Sequence, residues 1–179
     1  WQACGGGVMS GASAKQGTWP SPYGVTDSGL ALLGGQVSVA DYRAGRINHA
    51  IGLTIPQVGS LLSWPATQGA GANAAAPGFG TRLQLDPAID VNSMGLSRFG
   101  RMVAKAAQEY GFIVWDSGPQ VAVSLESPLS YTNRGAPDPF GGQIAPTDLN
   151  NFPWAQLRAI PQDFGLTGHL PSILDFSAS

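Results

Sequence analysis

The first of the chain's two histidines sits where a proton-transferring group is easiest to shelter. In Ala44 to Pro56, AGRINHAIGLTIP, a side-chain period of two puts Ile47, His49, Ile51, Leu53 and Ile55 on one face. Asn48, Ala50, Gly52 and Thr54 fall on the other. The pattern predicts one buried strand with an imidazole inside its apolar stripe. Histidine titrates near neutral pH without help, which makes His49 a candidate general acid or base. The alternative is a core histidine whose nitrogens are held by backbone or a carboxylate. Asp116 ends the apolar run FIVWD; it either orients His49 or caps the turn that follows.

Carboxylate pairs are the other route to chemistry, because glycosidases set two acids across the bond they cleave. Asp27, Asp41, Asp86, Asp90, Asp116 and Glu126 are the candidates. Asp86 before Pro87 and Asp90 before Val91 read as turn and cap residues. Glu126, just past VAVSL, is better placed. No serine lies in a G-x-S-x-G elbow, since neither Met9-Ser10-Gly11 nor Asp27-Ser28-Gly29 fits. Phosphate loops, dinucleotide fingerprints, zinc spacings and calcium loops are missing as well, so neither metal nor cofactor is expected. Cys4, the single cysteine, is either buried and inert or the partner of a cysteine upstream of Trp1. Aromatic faces stack on sugar rings. Trp19, Tyr23 and Trp64 are the candidate ligand-binding aromatics, because Trp19 and Trp64 precede prolines in predicted loops. Their other role is to pin those loops to the core. Trp115, inside a strand, reads as core.

Several elements must position these groups. Ser38-Val-Ala-Asp41 has the logic of a capping box for a short helix, Val39 to Ala44, closed by Gly45 in the left-handed region. Leu96, Phe99, Met102, Val103, Ala106, Ala107 and Tyr110 follow a 3.6-residue period and predict one substantial helix, about 97–110, capped by Ser97 or Ser93 and stopped by Gly111. TRLQL (81–85) alternates as a strand. FIVWD (112–116) and VAVSL (121–125) read as a hairpin over the intervening turn. Leu61, Leu62 and Trp64 suggest another strand, 1–4 and 6–10 two short ones, and 153–160 a short helix. Residues 68–80 carry no apolar period and read as a surface loop. Regular βαβ alternation is absent, so the expected class is mainly β: a β-sandwich or jelly-roll with one packed α-helix and short helices.

Length 179 fits one domain over 1–179, or the C-terminal part of a larger β-sandwich. Charged residues make up 11% of the chain, less than half the usual share. The net charge of −2 and scattered basic residues argue against a nucleic-acid partner. No apolar run reaches the length of a membrane span. No secretory signal is visible either, and the start at Trp1 reads as a mature or trimmed product.

Four motifs occur in order: W-x-A-C-G-G at 1–6, G-L-A-L-L-G-G at 29–35, G-R-I-N-H-A at 45–50 and A-A-Q-E-Y-G-F-I-V-x-D at 106–116. Together they resemble a family of secreted proteins common in high-GC Gram-positive bacteria (actinobacteria). The likeness covers Trp1 to about Asp116, and the tail more loosely. Relatives often have an acid where Asn48 stands here. The resemblance implies export and a place as the C-terminal part of a longer chain; it supplies no reaction and no catalytic residues. The expectation is a secreted or cell-wall-associated protein that meets polysaccharide or cell-wall glycan. It would be a hydrolase or lyase using His49 with Asp116 or Glu126, or else a non-catalytic carbohydrate-binding module or a self-assembling surface component.

Overall fold

The computed structural model describes residues 24–160. Trp19, Tyr23, Cys4 and the two short strands expected before residue 11 lie outside that range. The chain order is α1 (Leu32–Gly35), α2 (Val39–Ala44), β1 (Ile51–Ile55), β2 (Arg82–Leu85), α3 (Arg98–Glu109), β3 (Phe112–Ser117), β4 (Ala122–Val123), α4 (Leu129–Thr132) and β5 (Leu157–Ala159). The five strands form one sheet in the order β4-β1-β3-β2-β5. It is mixed: β1 and β3 are parallel, and every other pair is antiparallel.

The class is mixed α/β, a five-stranded mixed sheet with a few helices; the expected strands-plus-packed-helix arrangement is met in this coarser form. One sheet, rather than two facing sheets, is present among the described residues. Helix α3 does the covering. Its apolar face of Phe99, Met102, Val103, Ala106 and Ala107 is buried, and it shares one core with Ile51, Leu53, Leu85, Phe112 and Val114. Ser97 Oγ accepts from the Gly100 N–H at 3.0 Å and caps the helix start. Gly111, at φ +77°, turns the chain straight into β3.

Two strand expectations fail for non-local reasons. β1 begins at Ile51, not near Ala44. The first ladder bond runs from the Ile51 N–H to the Gly111 carbonyl, and before Gly111 the segment leading into β3 is still helical. Residues 46–50 have no neighbouring strand to pair with, so His49 lies outside the sheet. The 112–125 hairpin is absent too, because β4 pairs with β1, Leu53 opposite Val123, and not with β3. The chain crosses the end of β1 at Gly118, whose N–H donates to the Ile55 carbonyl. A Cβ there would lie 2.8 Å from Thr54 Cγ2. Residues 61–64 form no strand, and 153–160 becomes a 3-10 turn (Trp154–Gln156) followed by β5.

The β1–β3 register slips between Leu53 and Thr54, so that Val114 pairs with Leu53 and Asp116 with Thr54. Trp115 is the extra residue of this bulge. Its indole is only 2% exposed and lies directly on Gly52. A Cβ at 52 would sit 2.2 Å from the ring, so only glycine fits. We expect Gly52→Ala to cost about 1–3 kcal/mol by overpacking, read as a lower urea midpoint. Part of that loss should return in the double variant Gly52→Ala/Trp115→Leu, which clears the space.

Candidate functional site

Parallel strands bring their carboxyl ends to the same edge of a sheet, and in open α/β sheets ligands bind in the crevice beyond those ends. Here the edge is Ile55 and Ser117. A third segment joins them: the Ser28 N–H donates to the Trp115 carbonyl at 3.1 Å. Thr26 Oγ1 donates to the Leu30 carbonyl at 2.8 Å and is 3.1 Å from Ser28 Oγ, which folds 26–30 tightly. Asp27 is thereby held beside Asp116 and Ser117.

The long loop after β1 closes over the same edge. The Thr67 N–H donates to the Ser28 carbonyl, Gly59 to Pro77, Ser63 to Phe79 and Asn73 to Val58. The glycines of this loop meet a steric demand. A Cβ at Gly71 would lie 1.9 Å from the Val58 carbonyl oxygen, and one at Gly78 1.6 Å from that of Leu61. Between loop and sheet edge lies a cleft of about 540 Å³, within the usual range of small-molecule sites. Asp27, Ser117, Gln57 and Asn73 supply its polar side chains, while Phe79 and residues 69–72 supply apolar and backbone surface. Lysine, arginine and histidine are absent from its lining.

The two aspartates share donors. The Ser117 N–H donates to both, at 3.2 Å to Asp27 Oδ2 and 3.0 Å to Asp116 Oδ1. Ser117 Oγ adds a 2.5 Å bond to Asp27 Oδ2, and the Asp27 N–H lies 3.4 Å from Asp116 Oδ1. Asp116 reaches the cleft only through these neighbours. Burial, then the hydrogen bond and charge of Asp27, raise the Asp116 carboxyl above its ordinary value. The N–H donors of Ser117 and Asp27 offset only part of that. The neighbouring carboxyl thus makes Asp116 harder to ionise than it would be alone.

His49 and Asp116 do not meet. Asp116 lies at the carboxyl end of β3, and His49 precedes the amino end of the parallel β1. The imidazole is instead part of the cap of α2. Its Nε2 is 3.4 Å from Asp41 Oδ2 and its Nδ1 2.9 Å from its neighbour's carbonyl, Ala50 O. Ser38 completes the capping box: its Oγ and N–H donate to Asp41 Oδ2 at 2.5 and 2.9 Å, and Oγ accepts from the Asp41 N–H. Burial alone would raise the Asp41 carboxyl, but the hydrogen bonds of Ser38 and the contact with His49 bring it below its ordinary value. Serine, aspartate and histidine are all present, yet the carboxylate stands between hydroxyl and imidazole. His49 therefore cannot take the serine proton as in a nucleophilic triad.

Glu126 belongs to this same end of α2. Past β4 the chain runs beside Val37, which lets Glu126 Oε2 accept from the Val39 N–H at 2.8 Å and Oε1 from the Tyr131 hydroxyl at 3.1 Å. Trp64 is 47% exposed on the loop that roofs the cleft, outside its lining. Asp86 and Asp90 accept from the N–H two residues on, as turn residues do. A second, larger groove of about 760 Å³ beside β4 and Trp154 has no ionisable group in its lining. No group of three or more metal-ligating side chains occurs among the described residues. Nor is any helix among them long and apolar enough to cross a membrane.

Sequence reasoning named Asp27 only as one acid among several and missed Ser117, Gln57 and Asn73. A signal existed. Asp27-Ser28-Gly29 and Asp116-Ser117-Gly118 are the same tripeptide, and the fold sets the two copies side by side. No family model, curated protein or solved structure matches the chain.

The two acid clusters should respond to pH with opposite signs. Asp41 is lowered on folding, so its stabilisation is present above the unfolded value near 3.8 and is lost as pH falls through the folded one. Asp41→Asn should thus unfold more easily than wild type at pH 7, with the gap closing below pH 4. Asp116 is raised, so at neutral pH its ionised form opposes folding. Asp116→Asn, which keeps the Oδ1 acceptor, should melt ~1–3 °C above wild type at pH 7 after allowance for solvent screening. That gain should shrink as pH falls through the raised value. Thermal melts of the three proteins across pH 3–8 check both signs.

Proposed function

We propose that this is an exported, glycan-associated protein that binds uncharged saccharide in the cleft at the carboxyl ends of β1 and β3. The observation that carries the reading is the chemistry of the lining. Asp27, Ser117, Gln57 and Asn73 offer hydrogen-bonding groups of both polarities, beside the apolar surface of Phe79, and no cation. Such a lining suits hydroxyl groups, and the Asp27 carboxylate disfavours phosphate and other anions. Trp64 gives an exposed aromatic face on the same loop, on which a longer glycan can stack. Low overall charge and the resemblance to secreted proteins support export. A cell-wall or environmental polysaccharide is the natural source of the ligand, and a cell-wall setting allows self-association or further upstream chain.

Binding is favoured over cleavage by the contact between the acids. A glycosidase holds its two carboxyls ~5 Å or more apart to admit the glycosidic bond or a water, whereas Asp27 and Asp116 share donors and a hydrogen bond. The raised Asp116 carboxyl favours a second reading, a hydrolase or lyase in which the pair supplies the acid. His49 keeps a structural role in both.

Affinity electrophoresis through a panel of soluble polysaccharides, with reducing-end release measured in parallel, tests the proposal. We expect retardation by at least one neutral polymer without release. Asp27→Ala should abolish the retardation, and Trp64→Ala should weaken binding about 3–10-fold with little change in melting temperature. His49→Ala should lower the melting temperature and leave binding intact. Loss of binding in folded His49→Ala would sink the assignment to this cleft, and release that disappears in Asp116→Asn would replace binding by catalysis.

A further inference from the structure

A glutamine side chain can present a donor or an acceptor to a ligand, and its neighbours decide which. In the cleft Gln57 has such a neighbour. Its Oε1 accepts from Asn73 Nδ2 at 2.6 Å. Asn73 is oriented by its Oδ1, which accepts the Ala75 backbone N–H at 3.0 Å in an exposed bond, and a backbone N–H can only donate. With Oδ1 committed, the amino end of Asn73 faces Gln57, and Gln57 must answer with its oxygen. The Asn73 backbone is fixed as well: its N–H donates to the Val58 carbonyl and its carbonyl accepts from Ala76. Gln57 Nε2 is the end left over. It has no hydrogen-bond partner among the described residues, and Gln57 lines the cleft with Asp27.

We propose that Gln57 is the specificity-determining donor of this cleft and Asn73 its positioning residue, so that a ligand meets the Gln57 amino group and the Asp27 carboxylate in one opening. The inference rests on the saccharide-binding reading and narrows it. A hydroxyl both donates and accepts, so the hydroxyls of one polyol can meet a donor and an acceptor in the same opening. A phosphate or carboxylate ligand could use Gln57 but would face Asp27 with charge of the same sign. The ligand class is a neutral polyol.

Asn73→Asp isolates the idea. The new carboxylate keeps the acceptor for Ala75 but has no proton to give Gln57. The Gln57 amide must then turn its Nε2 toward residue 73 and show its oxygen to the cleft. Side-chain amide NMR of the 15N-labelled full chain reads this without any ligand. We expect the Gln57 amide protons to exchange fast with water in wild type and to become protected and shifted in Asn73→Asp. Titration then uses a panel of methyl glycosides of common hexoses and pentoses, with inorganic phosphate as the anionic probe. Wild type should bind at least one glycoside and not phosphate. Asn73→Asp, Gln57→Glu and the uncharged Gln57→Leu should each weaken that binding about tenfold or more. Protected Gln57 protons in wild type, or no change in Asn73→Asp, would overturn the assigned polarity whatever binds. Reversed polarity with unchanged glycoside affinity would show that Gln57 does not set specificity. Correct polarity with phosphate bound and glycosides ignored would leave the amide arrangement standing and remove the polyol, and with it the saccharide reading.

Discussion

The parallel ladder between β1 and β3 is the constraint on which the rest of the molecule depends. It requires both strands to run outward at the same edge, and every segment that builds the cleft leaves or meets the sheet there. The loop 56–80 departs from β1, Ser117 ends β3, and the 26–30 segment is tied to Trp115 at that edge. The same ladder keeps His49 away, because what precedes β1 must lie at the opposite end. Its tolerance is narrow. The Trp115 bulge fits only because residue 52 has no side chain, and Gly35 of α1 crowds the same indole, a Cβ there lying 2.9 Å from the ring. Bulges re-aim the residues that follow them, and this one directly precedes Asp116 and Ser117.

The two acid clusters differ in how their charge is met. At α2 the hydroxyl and N–H of Ser38, with His49, surround Asp41 and favour its ionised form. Everything there points toward stability, including Glu126 on the Val39 N–H. At the carboxyl-end cleft, burial and a second carboxylate work against the ionised Asp116. The charge conflict therefore sits at the carboxyl end of β3, and not at the histidine.

What was legible in the sequence was what is encoded over a few residues. The capping box at Ser38 and Asp41, the left-handed Gly45, the serine cap of α3 (Ser97 of the two candidates) and the Gly111 stop each depend on neighbours within one or two helical turns, and each is present. The α3 face was readable for the same reason. Strand partners are not local. FIVWD and VAVSL have the composition of a hairpin, but β1 lies between them, and no period in either run records that. His49 fits the alternation of the β1 stripe, yet a ladder needs a partner at the same height, and ahead of β3 that height is filled by α3. Of the candidate site, one acid of the pair was singled out for chemistry and the other was not. Their contact spans 89 residues, and only the repeated tripeptide hinted at it.

The glycine- and alanine-rich stretch 69–76 has the composition of a segment without structure, and its first part, 69–73, is a wall of the cleft. Larger side chains are excluded where it passes the carbonyls of Val58 and Gly59. Small residues leave backbone and a few amides as the surface of that wall. Such a wall cannot attract a ligand by charge, and its contribution is directional, through N–H and C=O groups whose positions the loop fixes. In a chain with so few charged residues, this is the coherent design. Under the proposed reading, the end of Gln57 turned outward is set by one backbone N–H, that of Ala75, acting through Asn73.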